Sequence, residues 1–221
     1  MMDVFKKQIK KLLSSNILKR WIICQGDGKL GSNRIALTFD DGPNPEYTPK
    51  TLDLLNRYKI KGTFFLIGHE VEKYQDLAKR IIDEGHCVGN HTYSHRRFMQ
   101  LNSVEIKKEI LKTQQVLKDI LGHRTRLFRP PFGRLQLSSL IVSMKLNLTT
   151  VLYSLDSFDW KKTNRELILE RLNSNVVKAG DIVLLHDDNE FTLGALPPII
   201  ESLQDKGYFF ATIDELLSKE S

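Results

Sequence analysis

The chain has 221 residues, 41% of them hydrophobic and 27% charged, enough for one well-buried core and short for two. Its formal charge of +6 is no sign of nucleic-acid binding, because residues 1–20 hold six basic side chains against Asp3 while the rest carries 27 basic against 26 acidic residues. No run of about 18 apolar residues occurs, which excludes a transmembrane helix, and Cys24 and Cys87 read as free buried thiols without metal-binding spacing.

Residues 1–20 read as a basic amphipathic helix, with Phe5, Ile9, Leu12, Leu13 and Ile17 on one face and lysines on the other. Such a helix either packs on the body of the domain or lies on an anionic membrane surface. Its lysines interrupt any apolar stretch a secretory signal would need, so the expected location is cytoplasmic. Peripheral contact with the inner membrane face through residues 1–20 is the second of those two readings.

The body, residues 21–221, opens with a short strand at Trp21–Cys24 and a turn at Gly26-Asp27-Gly28. Strand-like runs then recur at Ile35–Phe39, Thr63–Ile67, Cys87–Asn90, Leu127–Arg129, Thr149–Leu155, Ile182–Leu185 and Tyr208–Thr212. Helical periodicity fills the intervals at Pro49–Tyr58, Val71–Glu84, Ser103–Leu121, Ser138–Leu146, Arg165–Val177 and Leu196–Lys206. This βα alternation predicts a parallel sheet covered by helices. Periodicity alone leaves open whether the sheet closes into a barrel or stays open and doubly wound. In both cases functional residues belong at the C-terminal ends of strands.

The polar clusters obey that rule. Asp40 and Asp41 end the first strand of the repeat, His91 and His95 follow the third, and Arg129 ends the fourth. Asp156, Asp159 and Trp160 follow the fifth, and His186-Asp187 ends the sixth. Two adjacent carboxylates repel each other, so a metal ion on one and a cation beside the other is the expected arrangement. A kink such as Gly42-Pro43 is needed to aim both at one site. Two histidines four apart can share one face of a helical turn. With a carboxylate from Asp40 or Asp41 they make a three-ligand set with a position open for water, the pattern of a catalytic zinc. The other carboxylate is then free to act as a base, kept ionised by Arg129. His186, with a carboxylate such as Asp159 beside it, is a candidate general acid. Trp160 and Leu184 are core residues by default and could otherwise wall a small apolar pocket. His69, His86 and His123 have no matching partners and read as structural.

With these residues in place, the chain resembles the polysaccharide deacetylases, the family-four carbohydrate esterases. The resemblance runs from about Ile35 to Leu217 and rests on Thr38–Pro43, His91–His95, Arg129–Gly133, Asp156–Trp160 and Ile182–Asp187, in the family's order. It implies a distorted (β/α)7 barrel, here a single domain with an extra N-terminal helix. It also implies Asp40 as the base, with Asp41, His91 and His95 holding a divalent metal, most simply Zn2+, with Co2+ or Ni2+ also accepted. Arg129 resembles the residue that holds the base, and the Phe132 N–H the oxyanion donor. His186 resembles the acid tuned by Asp159, and Trp160 and Leu184 the walls of an acetyl pocket. The implied activity is removal of acetyl groups from N-acetylated poly- or oligosaccharides. The alternatives are an O-acetyl esterase and a catalytically silent sugar-binding member of the fold.

Overall fold

The computed structural model describes residues 21–26, 33–162 and 164–218. The helix expected over residues 1–20, the domain boundary behind it and Asp27-Gly28 of the first turn lie outside them. Apolar runs rich in β-branched and aromatic residues become strands β1 (Ile22–Ile23), β2 (Arg34–Asp40), β3 (Thr63–Leu66), β4 (Cys87–Asn90) and β5 (Leu127–Phe128). They continue in β6 (Thr149–Val151), β7 (Leu155–Asp156), β8 (Ile182–His186) and β9 (Phe209–Phe210). The helices are α1 (Thr48–Arg57), α2 (Gly68–Lys73), α3 (Gln75–Asp83), α4 (Ser103–Leu121), α5 (Leu137–Lys145), α6 (Arg165–Arg171), α7 (Glu190–Asp205) and α8 (Ile213–Leu217).

The sheet runs β1-β6-β5-β4-β3-β2-β8-β7, with β9 also paired to β2, and every one of these pairings is parallel. This order decides the question that periodicity left open. Strands β6 and β8 are five steps apart along the path, about 24 Å if the sheet were flat. Yet only Leu152, Tyr153 and Ser154 join β6 to β7, the partner of β8, and such a link reaches at most about 14 Å. The sheet must therefore curl, and the link stitches its two sides together. Leu152 N–H donates to Ile23 O at 2.7 Å and Ser154 N–H to Ile182 O at 3.0 Å. The result is a curled parallel sheet wrapped by helices, a distorted (β/α)7 barrel. The strand expected over Thr149–Leu155 is interrupted because its middle crosses this gap.

Strand alternation divides the core. In β2, Ile35, Leu37 and Phe39 pack with the helices around Leu52, Leu55 and Ile200. Ala36 points the other way, into a barrel interior shared with Phe65, Leu127, Val151 and Ile182. Thr38 and Asp40 fall on that same inner side, so period two aims Asp40 into the barrel.

Helix boundaries differ from the sequence pattern by more than one residue in three places. The helix expected over Val71–Glu84 is two helices broken at Tyr74, whose φ of −123° and ψ of 55° are not helical. Helix α6 stops at Arg171 rather than Val177. Helix α7 begins at Glu190, not Leu196, because Asn189 Oδ1 accepts the Thr192 N–H as an N-cap and the helix continues through Pro197 and Pro198. The two cysteines are free and half-buried.

Candidate active site

Asp40 is buried at the C-terminal end of β2, and its neighbour has to face the same space. Asp41 achieves this with a left-handed backbone, φ 71°, so the turn lies at Asp41 itself rather than waiting for Gly42-Pro43. Aspartate tolerates that conformation better than most residues. Thr92, His95, Phe132, Phe158 and Lys162 are also left-handed, and all lie in loops at the C-terminal ends of strands. The other two described non-glycine cases, Lys59 and Asn147, follow helices at the opposite end. Backbone strain thus clusters at one mouth of the barrel, as it does at functional sites.

Arg129, fully buried just after β5, organises Asp40. Its Nη1 donates to Asp40 Oδ1 at 2.7 Å and to Thr38 Oγ1 at 2.8 Å, and its Nε and Nη2 donate to Val151 O and Leu152 O, each at 3.2 Å. The guanidinium carbon stands 4.0 Å from the Phe65 ring centre. That ring has space because residue 89 is glycine: a Cβ there would lie 2.3 Å from Phe65 Cδ1. Every strong feature of arginine is used here, namely a planar fork and a stacking face.

His91 and His95 face Asp41. Their Nε2 atoms lie 3.4 and 3.2 Å from Asp41 Oδ1, and His91 Nε2 lies 3.7 Å from Asp40 Oδ2. The two histidines do not share a helical turn as expected. They bracket an irregular loop in which Thr92 N–H donates to Asn90 Oδ1, while Tyr93 N–H, Ser94 N–H and Ser94 Oγ all donate to the Glu109 carboxylate of α4. His91 Nδ1 donates to Arg129 O at 2.8 Å, which leaves Nε2 as the ring nitrogen that faces Asp41.

Asp41, His91 and His95 have ligand atoms within 4.8 Å of one another, and the buried Asp41 Oδ1 has no hydrogen-bond partner among the described residues. A buried carboxylate oxygen flanked by two imidazole nitrogens is a donor set that fits a divalent cation. Burial pushes the Asp41 carboxyl up, but His91, His95 and His186 outweigh it and hold it well below the usual carboxylate range.

His186 closes the opposite side. Its Nδ1 donates to Asp159 Oδ1 at 2.8 Å and its backbone N–H to Asp159 Oδ2 at 2.6 Å, while Thr192 Oγ1 donates to the same Oδ2. Its Nε2 lies 3.9 Å from Asp41 Oδ2. Burial opposes a charge on this imidazole, but the Asp159 hydrogen bond and the charges of Asp159, Asp40 and Asp41 push it up to about 10.

The remaining candidates occupy the rim. Leu184 is buried on β8 at the register level of Thr38 and Asp156. Trp160 is 52% exposed, so its default reading as a core residue is wrong: the turn Asp159–Lys161 carries its ring outward against Phe158. Phe132 is 47% exposed, with its ring centre 4.6 Å from that of His95. Asp156 caps its own loop by accepting the Phe158 N–H. His69 Nδ1 donates to Tyr93 O, His86 Nδ1 accepts the Gly62 N–H, and His123 Nδ1 lies 3.2 Å from Leu121 O. Sequence reasoning missed Thr38, Glu109 and Thr192, whose contributions exist only through contacts distant along the chain.

A polysaccharide deacetylase family model matches residues 27–151, more than half of the chain. The chain belongs to the polysaccharide deacetylases. Among curated relatives of this chain, a peptidoglycan-N-acetylglucosamine deacetylase of Bacillus cereus is 37% identical over 199 residues, covering 87% of the chain and 72% of the relative. A peptidoglycan-N-acetylmuramic acid deacetylase of Bacillus subtilis is 39% identical over 182 residues, 82% of the chain but only 38% of that longer relative. The crystal structure of a peptidoglycan N-acetylglucosamine deacetylase superposes with a TM-score of 0.86 at 34% identity, covering 93% of this chain and 97% of the other. A family-four carbohydrate esterase pseudoenzyme from Bacillus anthracis also superposes, with a TM-score of 0.83 at 30% identity, covering 90% of this chain and 69% of the other. The fold therefore does not guarantee activity, and the side chains have to carry that argument. Among the described residues no helix is long and apolar enough to cross a membrane.

Proposed function

We propose that this protein hydrolyses the acetamide of N-acetylated peptidoglycan sugars with the help of a divalent cation held by Asp41, His91 and His95. The observation that carries the reading is the buried Asp41 Oδ1, without a hydrogen-bond partner among the described residues, between two imidazole Nε2 atoms, with Asp40 near His91 and His186 near Asp41. Bound there, a divalent ion supplies Lewis acidity, polarising the acetamide carbonyl and acidifying water. Zn2+ fits the His₂-Asp set best, and Co2+ or Ni2+ suits the same ligands.

The chain's own residues divide the proton transfers. Asp40, held by Arg129, accepts a proton from the attacking water. The Phe132 N–H donates to the developing oxyanion. His186, protonated and oriented by Asp159, delivers a proton from Nε2 to the leaving amine. Leu184 and Trp160 wall the acetyl methyl. The names of the relatives favour peptidoglycan over chitin, and both glucosamine and muramic acid sites occur among them. A cytoplasmic enzyme, with or without residues 1–20 on the inner membrane face, would meet a soluble or lipid-linked precursor instead of the assembled wall.

The test is acetate release from peptidoglycan fragments, a lipid-linked precursor, chito-oligosaccharides and O-acetylated xylan, each with chelator and with added zinc. Zinc-restored release from the peptidoglycan sugars supports the proposal. Release from xylan alone favours the O-acetyl esterase, and sugar binding without release favours the silent member.

A further inference from the structure

Asp187, the residue after His186, is a fully buried acid to which the proposed proton transfers give no task. Such a carboxylate is costly unless something answers it, and no cation pairs with it among the described residues. Burial pushes its carboxyl up to about 7, with the Thr48 hydrogen bond opposing that shift. Its contacts all lead to one segment. Oδ2 accepts from Thr48 Oγ1, the hydroxyl at the first residue of α1. Thr48 Oγ1 in turn accepts the Asn44 N–H at 2.7 Å. Oδ1 lies so close to Gly42 that a Cβ there would stand 2.9 Å away. Gly42 directly follows Asp41, and its carbonyl accepts the Ile67 N–H at 3.0 Å. The carboxylate thus ties the strand end that carries His186 to the far end of the Gly42–Thr48 segment through the Thr48 hydrogen bond, and packs against the near end at Gly42, where its Oδ1 has no hydrogen-bond partner among the described residues.

We infer that Asp187 is a positioning residue that clamps the turn presenting Asp41 to the strand end presenting His186, and so sets the metal carboxylate against the proton donor. The inference rests on the reading of Asp41 as a metal ligand. Outer-sphere partners of this kind typically change metal affinity or activity by about 10- to 100-fold.

The test is zinc titration of the metal-free wild type, Asp187→Ala, Asp187→Asn and Thr48→Val, with kcat and KM measured at saturating zinc. Asp187→Ala should bind Zn2+ at least about tenfold more weakly and lose kcat at unchanged KM. Asp187→Asn keeps an oxygen that accepts from Thr48, so it should stay near wild type. Thr48→Val should fall between them. Wild-type zinc affinity and kcat in a folded Asp187→Ala would overturn the clamp, as would an equal loss in Asp187→Asn, which would assign the effect to charge. If Asp187→Ala does not fold, unchanged zinc affinity in Thr48→Val overturns it. A wild type that binds no zinc overturns the metal reading and the clamp together, whereas normal wild-type binding with unaffected variants removes the clamp alone.

Discussion

Asp40 and His186 are register partners at the C-terminal ends of the adjacent parallel strands β2 and β8. Neighbouring strands set them side by side on the inner face of the barrel, and Asp41 turns in between to face His91 and His95. The proposed base and the proposed acid are thus placed by backbone hydrogen bonding, the most rigid positioning a protein has. Loop geometry supplies the rest.

The first consequence concerns these two residues. Asp40→Asn keeps an oxygen for Arg129, and His186→Ala removes a ring at the half-buried mouth, so both variants should fold. Each should lose about 10²- to 10⁴-fold in kcat with zinc stoichiometry unchanged, as read by acetate release and metal analysis. Wild-type turnover in either purified variant removes that residue from the mechanism.

Arg129 should matter for stability as well as activity. Arg129→Ala strips Asp40 of its buried partner and leaves Thr38, Val151 O and Leu152 O without their donor. Breaking a buried pair in this way costs about 3–5 kcal/mol, which urea unfolding would register. A cost below about 1 kcal/mol would mean that water or another side chain takes the place of the guanidinium.

Gly89 makes a less obvious prediction, because it touches no proposed functional group directly. Gly89→Ala drives a methyl into the Phe65 ring on which Arg129 rests. Overpacking of this kind costs about 1–3 kcal/mol, and the displaced ring should lower kcat through Arg129 and Asp40. Thermal denaturation and acetate release on the same sample check both halves.

The pH dependence of stability should carry a signature of His86. Burial, with Lys61 and Arg80 nearby, pushes this histidine down to about 4, and its neutral Nδ1 accepts the Gly62 N–H. The unfolded state therefore binds more protons between pH 6.5 and 4, so stability is full above the unfolded value and is lost as pH falls through that window. His86→Gln should flatten this acid limb relative to wild type in urea melts from pH 7 to pH 4. An unchanged limb would show that other groups titrate there.

The proposed catalytic residues were legible in the sequence because strand-end placement is a local property. Asp40 and His186 end strands, Asp41, His91 and Arg129 directly follow them, and His95 and Asp159 lie in the loops just beyond. The barrel, which the family resemblance implied, was not legible in periodicity, because closure depends on the three-residue link Leu152–Ser154 joining distant edges, which no window of periodicity contains. Tyr74 breaks a helix without glycine or proline to announce it, and Trp160 is an aromatic turned outward by a left-handed neighbour, Phe158. Glu109 and Asp187 act through backbone amides and hydroxyls of other elements, so their sequence context looks ordinary.

The most direct test of the central claim is acetate release from N-acetylated peptidoglycan fragments by chelator-stripped protein as zinc is added back. The account predicts no release from the stripped protein, recovery that saturates at a single equivalent of zinc, and no recovery in His95→Ala. Release that survives the chelator, or that zinc restores equally in His95→Ala, would contradict it.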